Sequence, residues 1–270
     1  MNTFVQVINR QDLMQTSKQI SCSVGGCIPW LSLIVLILGL VSCKDSAQPW
    51  ESFGKIIEEN RELSGFTQLR VRGKMLVYLT QDTTKKVTAK ITWGEHVLPG
   101  LVTEVSGEGE LVIEDRNQVR WLRRLDTQAV CTLNVHGLKK LVIEDNVQVI
   151  GLDTIHSSVL EVQSVSTHPQ QLKVNCGQLF GFIRGTGGVT FEGTGVIFSW
   201  SCEKGGFVDA RNMISDDVYI WHFTQRDIWL NPQKQFQAHC YGSGNIFYFT
   251  EPNIRFEKTE QGLGRILKMP

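Results

Sequence analysis

Two acidic pairs, Glu114-Asp115 and Glu144-Asp145, are the residues of this chain whose types suit acid and base chemistry. Several carboxylates converging on one face of a stacked β scaffold would cleave a polysaccharide or hold calcium. Adjacent residues of a strand point to opposite faces, however, so each pair is expected to sit at a turn entry instead. Six histidines, at positions 96, 136, 156, 168, 222 and 239, show neither H-E-x-x-H nor H-x-H spacing, and packed or surface imidazoles are expected. Gly185-Thr186-Gly187-Gly188 and Gly242-Ser243-Gly244 do not complete G-x-G-x-x-G before a helix; they read as turns in which glycine supplies positive φ. Arg116, Arg120, Arg123 and Arg124 surround Trp121 but are balanced by acids elsewhere, which fits a solvated edge better than a nucleic-acid site. The remaining candidate is a row, Tyr219, Trp221 and Phe223, on one face of a strand whose other face carries Val218, Ile220 and His222. Exposed, that row would stack on sugar rings or anchor a partner protein. No catalytic residue, metal ligand or cofactor is assigned.

Cys43 calls for different chemistry. An apolar run of about 14 residues ends in Leu40-Val41-Ser42 directly before it, as in a bacterial lipobox, with Arg10 and Lys18 upstream as a basic n-region. The run falls short of the roughly 20 residues that span a bilayer, so cleavage before Cys43 and acylation of its thiol are expected. An uncleaved signal anchor is the main alternative and a soluble secreted chain the third, and Met14 is a second candidate start. Residues 1–42 then form the signal peptide and 43–54 a short polar tether. Lys44 after the cysteine favours the outer membrane; periplasmic and surface exposure both stay open.

Such a signal directs the rest of the chain out of the cytoplasm. Without residues 1–42, 25 basic and 26 acidic residues remain of the 27 and 27 in the full chain, since Arg10, Lys18 and Asp12 are lost. No net field draws nucleic acid, and none is expected as a partner. Cys131, Cys176, Cys202 and Cys240 share parity with apolar neighbours and should point inward, either as buried thiols or as disulfides across adjacent strands. Abundant Val, Ile, Phe, Trp, Thr and Gly favour β structure.

Phe53, Ile56 and Ile57 give residues 53–63 a helical spacing, but Leu69 to Arg72 and Val77 to Thr80 alternate with period two. Further strands read at 86–93, 101–105, 110–115, 130–135, 140–144, 147–151 and 158–165. Leu111-Val112-Ile113-Glu114-Asp115 is echoed by Leu141-Val142-Ile143-Glu144-Asp145. From about residue 171, paired apolar runs recur: Val196–Trp200 with Phe207–Asp209, Val218–Phe223 with Ile228–Leu230, Phe236–Cys240 with Ile246–Phe249. Units of this size bury a face only by stacking, which predicts a β-solenoid with Val174, Cys176, Phe198, Trp200, Val218, Ile220, Phe236 and Ala238 inside.

The residues from Glu58 to Phe66, Leu69-Arg70-Val71 and Val77 to Gln81 resemble the opening of the head GIN domain family, described as putative auto-transporter adhesins. Phe207-Val208-Asp209-Ala210, Ile228 to Pro232 and Gly242 to Pro252 resemble its ending. The resemblance covers about residues 55–270. It implies an all-β, β-helix-like solenoid in two consecutive repetitive parts, here 55–165 and 166–270, commonly behind a lipoprotein signal, and a strand rather than a helix over 55–66. Phe223-Thr224-Gln225-Arg226 and Thr167-His168-Pro169 depart from the glycine-rich pattern, and distorted coils are expected there. The reading is a non-enzymatic, adhesin-like envelope lipoprotein, held to the membrane by its lipid and binding an envelope protein or polysaccharide. A β-helix lyase or hydrolase, or a structural assembly lipoprotein, is the alternative.

Overall fold

Alternating side chains give each strand one apolar face, and stacking strands in parallel lets that face be shared from coil to coil. The computed structural model describes residues 53–117 and 127–270, within the compact unit Asp45–Pro270. Cys43, the signal segment, most of the tether, and Arg120, Trp121, Arg123 and Arg124 lie outside the described residues.

The first eight strands are β1 (Ile56–Glu62), β2 (Gln68–Arg72), β3 (Lys74–Thr80), β4 (Thr88–Gly94), β5 (Leu101–Val105), β6 (Glu110–Asp115), β7 (Ala129–Asn134) and β8 (Lys140–Ile143). The helical reading of 53–63 is wrong: β1 pairs antiparallel with β4 along its length, and that pairing overrides the local periodicity. β5 and β6, and β4 and β7, are also antiparallel. β2 is bracketed in parallel by β6 and β8, in one register on both sides: Leu69 faces Leu111 and Leu141, and Val71 faces Ile113 and Ile143. The echoed pentapeptides are therefore two strands built for the same partner. β2 turns into β3 at Gly73, whose φ of 109° excludes most side chains.

Nine strands follow: β9 (Asn146–Ser164), β10 (Gln170–Ile183), β11 (Gly188–Cys202), β12 (Phe207–His222), β13 (Ile228–Leu230), β14 (Pro232–Cys240), β15 (Ile246–Tyr248), β16 (Arg255–Glu260) and β17 (Ile266–Lys268). The fold is all-β, and its solenoid makes about six turns. Parallel pairing places Leu160, Leu179, Phe198, Val218, Phe236 and Phe256 in one inward column, 18 to 20 residues apart. The eight residues expected inside are all buried. Phe191, Phe198 and Trp200 form the aromatic centre: Phe198 and Trp200 stack at 5.9 Å, and Phe191 meets Trp200 edge-on at 5.1 Å.

The glycine tracts are turns between coils, but positive φ is not why. None of Gly185, Gly187, Gly242 and Gly244 is among the positive-φ residues. Each turn lies directly on the one below, with Gly244 N–H donating to the Thr224 carbonyl at 3.0 Å and Gly264 N–H to that of Gly242 at 3.1 Å. A Cβ on Gly242 or Gly244 would collide with backbone carbonyls of the neighbouring turn. The turns that depart from the glycine pattern keep this hydrogen bonding. Thr224 occupies one such position, where its Oγ1 accepts the Arg226 N–H at 3.3 Å. In the other, Ser166 Oγ donates to the Val147 carbonyl at 2.6 Å and accepts the His168 N–H at 3.1 Å.

Candidate functional site

The parity of β12 decides which of its apolar faces meets solvent. Ile220 lies in register with Trp200 and Ala238 in the buried column, which turns Tyr219, Trp221 and Phe223 outward. Trp221 is 36% and Phe223 49% exposed, while Val218, Ile220 and His222 are buried. The next coil extends the row, with His239 stacked on Trp221 at 5.8 Å and Tyr241 on Phe223 at 4.9 Å. Two coils earlier, β10 turns Phe180 and Phe182 to the same face. Between them, β11 supplies only hydroxyls: Phe180, Ser199 and Tyr219 share one outward column, and Phe182, Ser201 and Trp221 the next. A cavity of about 270 Å³ opens there, lined by Phe180, Phe182, Ser199, Ser201 and Trp221, with Glu161 and Glu203 at its margin.

Sequence reasoning places Tyr219, Trp221 and Phe223 together on one strand face, and the structure turns that face outward; it leaves out Phe180, Phe182, His239 and Tyr241, which share the face. The signal was available: counting 18 to 20 residues along the parity of Trp221 leads to His239 in one direction and to Ser201 and Phe182 in the other.

The charges around the cavity are paired. Arg184 Nε lies 2.8 Å from Glu203 Oε2, and this guanidinium holds the Glu203 carboxyl below the usual carboxylate range. The Arg184 Cζ also sits 4.4 Å above the Phe182 ring. Ser201 Oγ donates to Glu203 Oε1 at 3.2 Å, and Lys140 lies 3.1 Å from Glu161. The site thus offers aromatic faces and hydrogen-bonding groups, with each margin carboxylate facing a cation.

The acidic pairs divide between two tasks. Asp115 Oδ1 accepts the Asn117 N–H at 2.9 Å and Asp145 Oδ2 the Gly73 N–H at 3.0 Å, which is the expected turn role. The glutamates instead pair with arginine: Glu144 lies 2.7 Å from Arg70 on the neighbouring rung, which reaches Glu110 at 3.0 Å, while Glu114 pairs with Arg116 two residues along at 2.9 Å and lies 3.9 Å from Arg72 across the rungs. Among the described residues no group of three His, Cys, Asp or Glu side chains is arranged to hold a metal. His222 faces the core, its Nε2 3.1 Å from the Gly244 carbonyl. Cys131, Cys176, Cys202 and Cys240 are buried free thiols, so of the two states left open by the sequence the structure has the unbridged one.

A family model described as "putative auto-transporter adhesin, head GIN domain" matches residues 65–252. A solved putative adhesin from Bacteroides fragilis has a TM-score of 0.75 at 20% identity, with 80% of this chain and 97% of that one covered. A putative adhesin from Parabacteroides merdae has a TM-score of 0.58 at 16% identity, covering 80% and 98%. A structure described as a putative lipid binding protein, from Parabacteroides distasonis, has a TM-score of 0.56 at 18% identity, covering 79% and 97%. At these identities the likeness concerns the fold. No curated protein matches the sequence. With a family match over most of its length and this solenoid beneath it, the chain belongs to the head GIN domain family of putative auto-transporter adhesins.

Proposed function

We propose that this chain is a non-enzymatic adhesive module of the cell envelope, tethered to the outer membrane through lipid on Cys43, that binds an envelope protein or polysaccharide through the outer aromatic face of its solenoid. The observation that carries the reading is the exposure of Trp221 and Phe223 beside a buried Ile220. Large aromatic side chains left in water on a rigid sheet face bring contact area with little conformational entropy to lose. Family membership supports the same reading, as does the pairing of the glutamates of the acidic repeats with arginine, which leaves them no convergent cleft. The lipobox-like run before Cys43 supports the tether.

The test is adherence of cells expressing the full chain to an envelope extract coated on a surface. Trp221→Ala with Phe223→Ala should reduce adherence at least tenfold with the melting temperature kept, because both side chains face solvent. Unchanged adherence would remove the assignment. Cys43→Ala should accumulate unprocessed precursor; normal cleavage and release of that variant would exclude lipidation there.

A further inference from the structure

The aromatic row on the outer face is interrupted at one coil. Along the column Phe182, Ser201, Trp221, His239, the ring missing is the one at Ser201, and beside it Ser199 stands between Phe180 and Tyr219. Neighbouring rungs are about 4.8 Å apart, so the walls on either side of β11 are about 9.6 Å apart, the separation that one ring stacked between two others needs. Trp221 lies 5.8 Å from His239 with 21° between the planes, so one indole face is covered and the opposite face looks over Ser201 into the cavity. Phe182 is already faced by the Arg184 guanidinium, which leaves Trp221 as the stacking surface and the phenylalanines as the far wall.

We infer that this gap is a subsite for one pyranose ring of a neutral saccharide, seated on Trp221 with its hydroxyls directed at Ser199, Ser201 and Glu203. This rests on the adhesive reading of the face and names its ligand class. An aromatic side chain of a protein would also fit between the walls, but it would offer no hydrogen bond to the Ser199 hydroxyl or to the acceptor capacity that Ser201 and Glu203 keep beside their bond to each other. A sugar ring has an apolar face for the indole and a polar rim for those groups. Glu161 and Glu203 are each paired with a cation, so no net charge calls for a charged sugar. At about 270 Å³ the cavity lies just below the size of drug-binding pockets, which suits a single ring within a longer chain.

The test is saturation-transfer NMR and titration of the full chain in detergent micelles with neutral hexasaccharides of gluco, manno and galacto configuration. At least one should bind, with Trp221→Ala weakening it about tenfold. Ser201→Phe completes the aromatic row at an outward strand position and should keep the melting temperature yet abolish the transfer. Ser201→Ala, which keeps the space and removes the hydroxyl, should cost severalfold. Absence of binding by every hexasaccharide, or wild-type binding by Ser201→Phe, overturns the subsite. If adherence falls in Trp221→Ala but survives in Ser201→Phe and no hexasaccharide binds, the subsite is wrong and the adhesive face stands. If adherence ignores Trp221→Ala, the face itself is wrong.

Discussion

Trp200→Ala should be the most damaging single truncation in the C-terminal coils. The indole is buried between Gly181 on the preceding coil and Ile220 on the following one. Gly181 brings no side chain to that rung; a Cβ built there would first strike the Val162 carbonyl and would also lie 3.1 Å from Trp200 Cζ3, so no neighbouring side chain stands ready to fill the space the indole vacates on that side. It also stacks on Phe198 and receives the edge of Phe191. Truncation of a buried Phe or Trp costs about 3–5 kcal/mol, more where surroundings cannot collapse. Here the backbone on both sides is fixed by parallel hydrogen bonds, so the upper half of that range is expected. Against a typical stability of about 5–15 kcal/mol, such a loss should be plain in urea unfolding followed by far-UV circular dichroism. Trp200→Phe should recover about half, and a cycle with Phe191→Leu should give about 0.5–1.5 kcal/mol of coupling. A cost below about 1 kcal/mol for Trp200→Ala would refute the reasoning, since the coils would then be able to close over the void.

Burial pushes the His222 imidazole below its ordinary pKa, and its Nδ1 has no partner, so protonation would place an unmatched donor in the core. Below about pH 6.5 the unfolded chain takes up a proton that the folded chain resists; stability should therefore fall with pH through that window, by at most about 1.4 kcal/mol per unit. His222→Gln should flatten that component in pH-dependent urea titrations, and an identical profile would show that His222 does not titrate differently on folding. Desolvation raises the thiols of Cys131 to about 12 and Cys176 to about 11, and raises those of Cys202 and Cys240 as well. All four should resist a thiol reagent at pH 8 until denaturant is added, and rapid labelling of the native chain would contradict their packing.

The repeat and the inward residues were legible because both follow from period-two alternation, which survives wherever one face is buried. Phe198, Trp200, Phe236 and Ala238 needed nothing more. β1 was not legible from its residues alone: its apolar positions fit a helix, and only the partner β4, some thirty residues on, makes it a strand. The role of the turn glycines was misread for a related reason. Positive φ is a local property, whereas contact between Gly244 and the Thr224 carbonyl depends on how coils register. The gap at Ser199 and Ser201 was invisible to a search for conspicuous residue types, because what marks it is two small residues between large ones, a coil apart on each side.

The step of 18 to 20 residues between equivalent positions sets the unit in which this molecule can change over evolution. Duplicating one whole coil leaves every other rung intact and moves the distal face by about 4.8 Å, whereas an insertion of one residue within a strand inverts its inside and outside. Diversity in this lineage should therefore accumulate as gained or lost coils and as exchanges at outward positions. A serine replaced by an aromatic would close a gap of this kind, and the reverse would open one, with no change to the core beneath it.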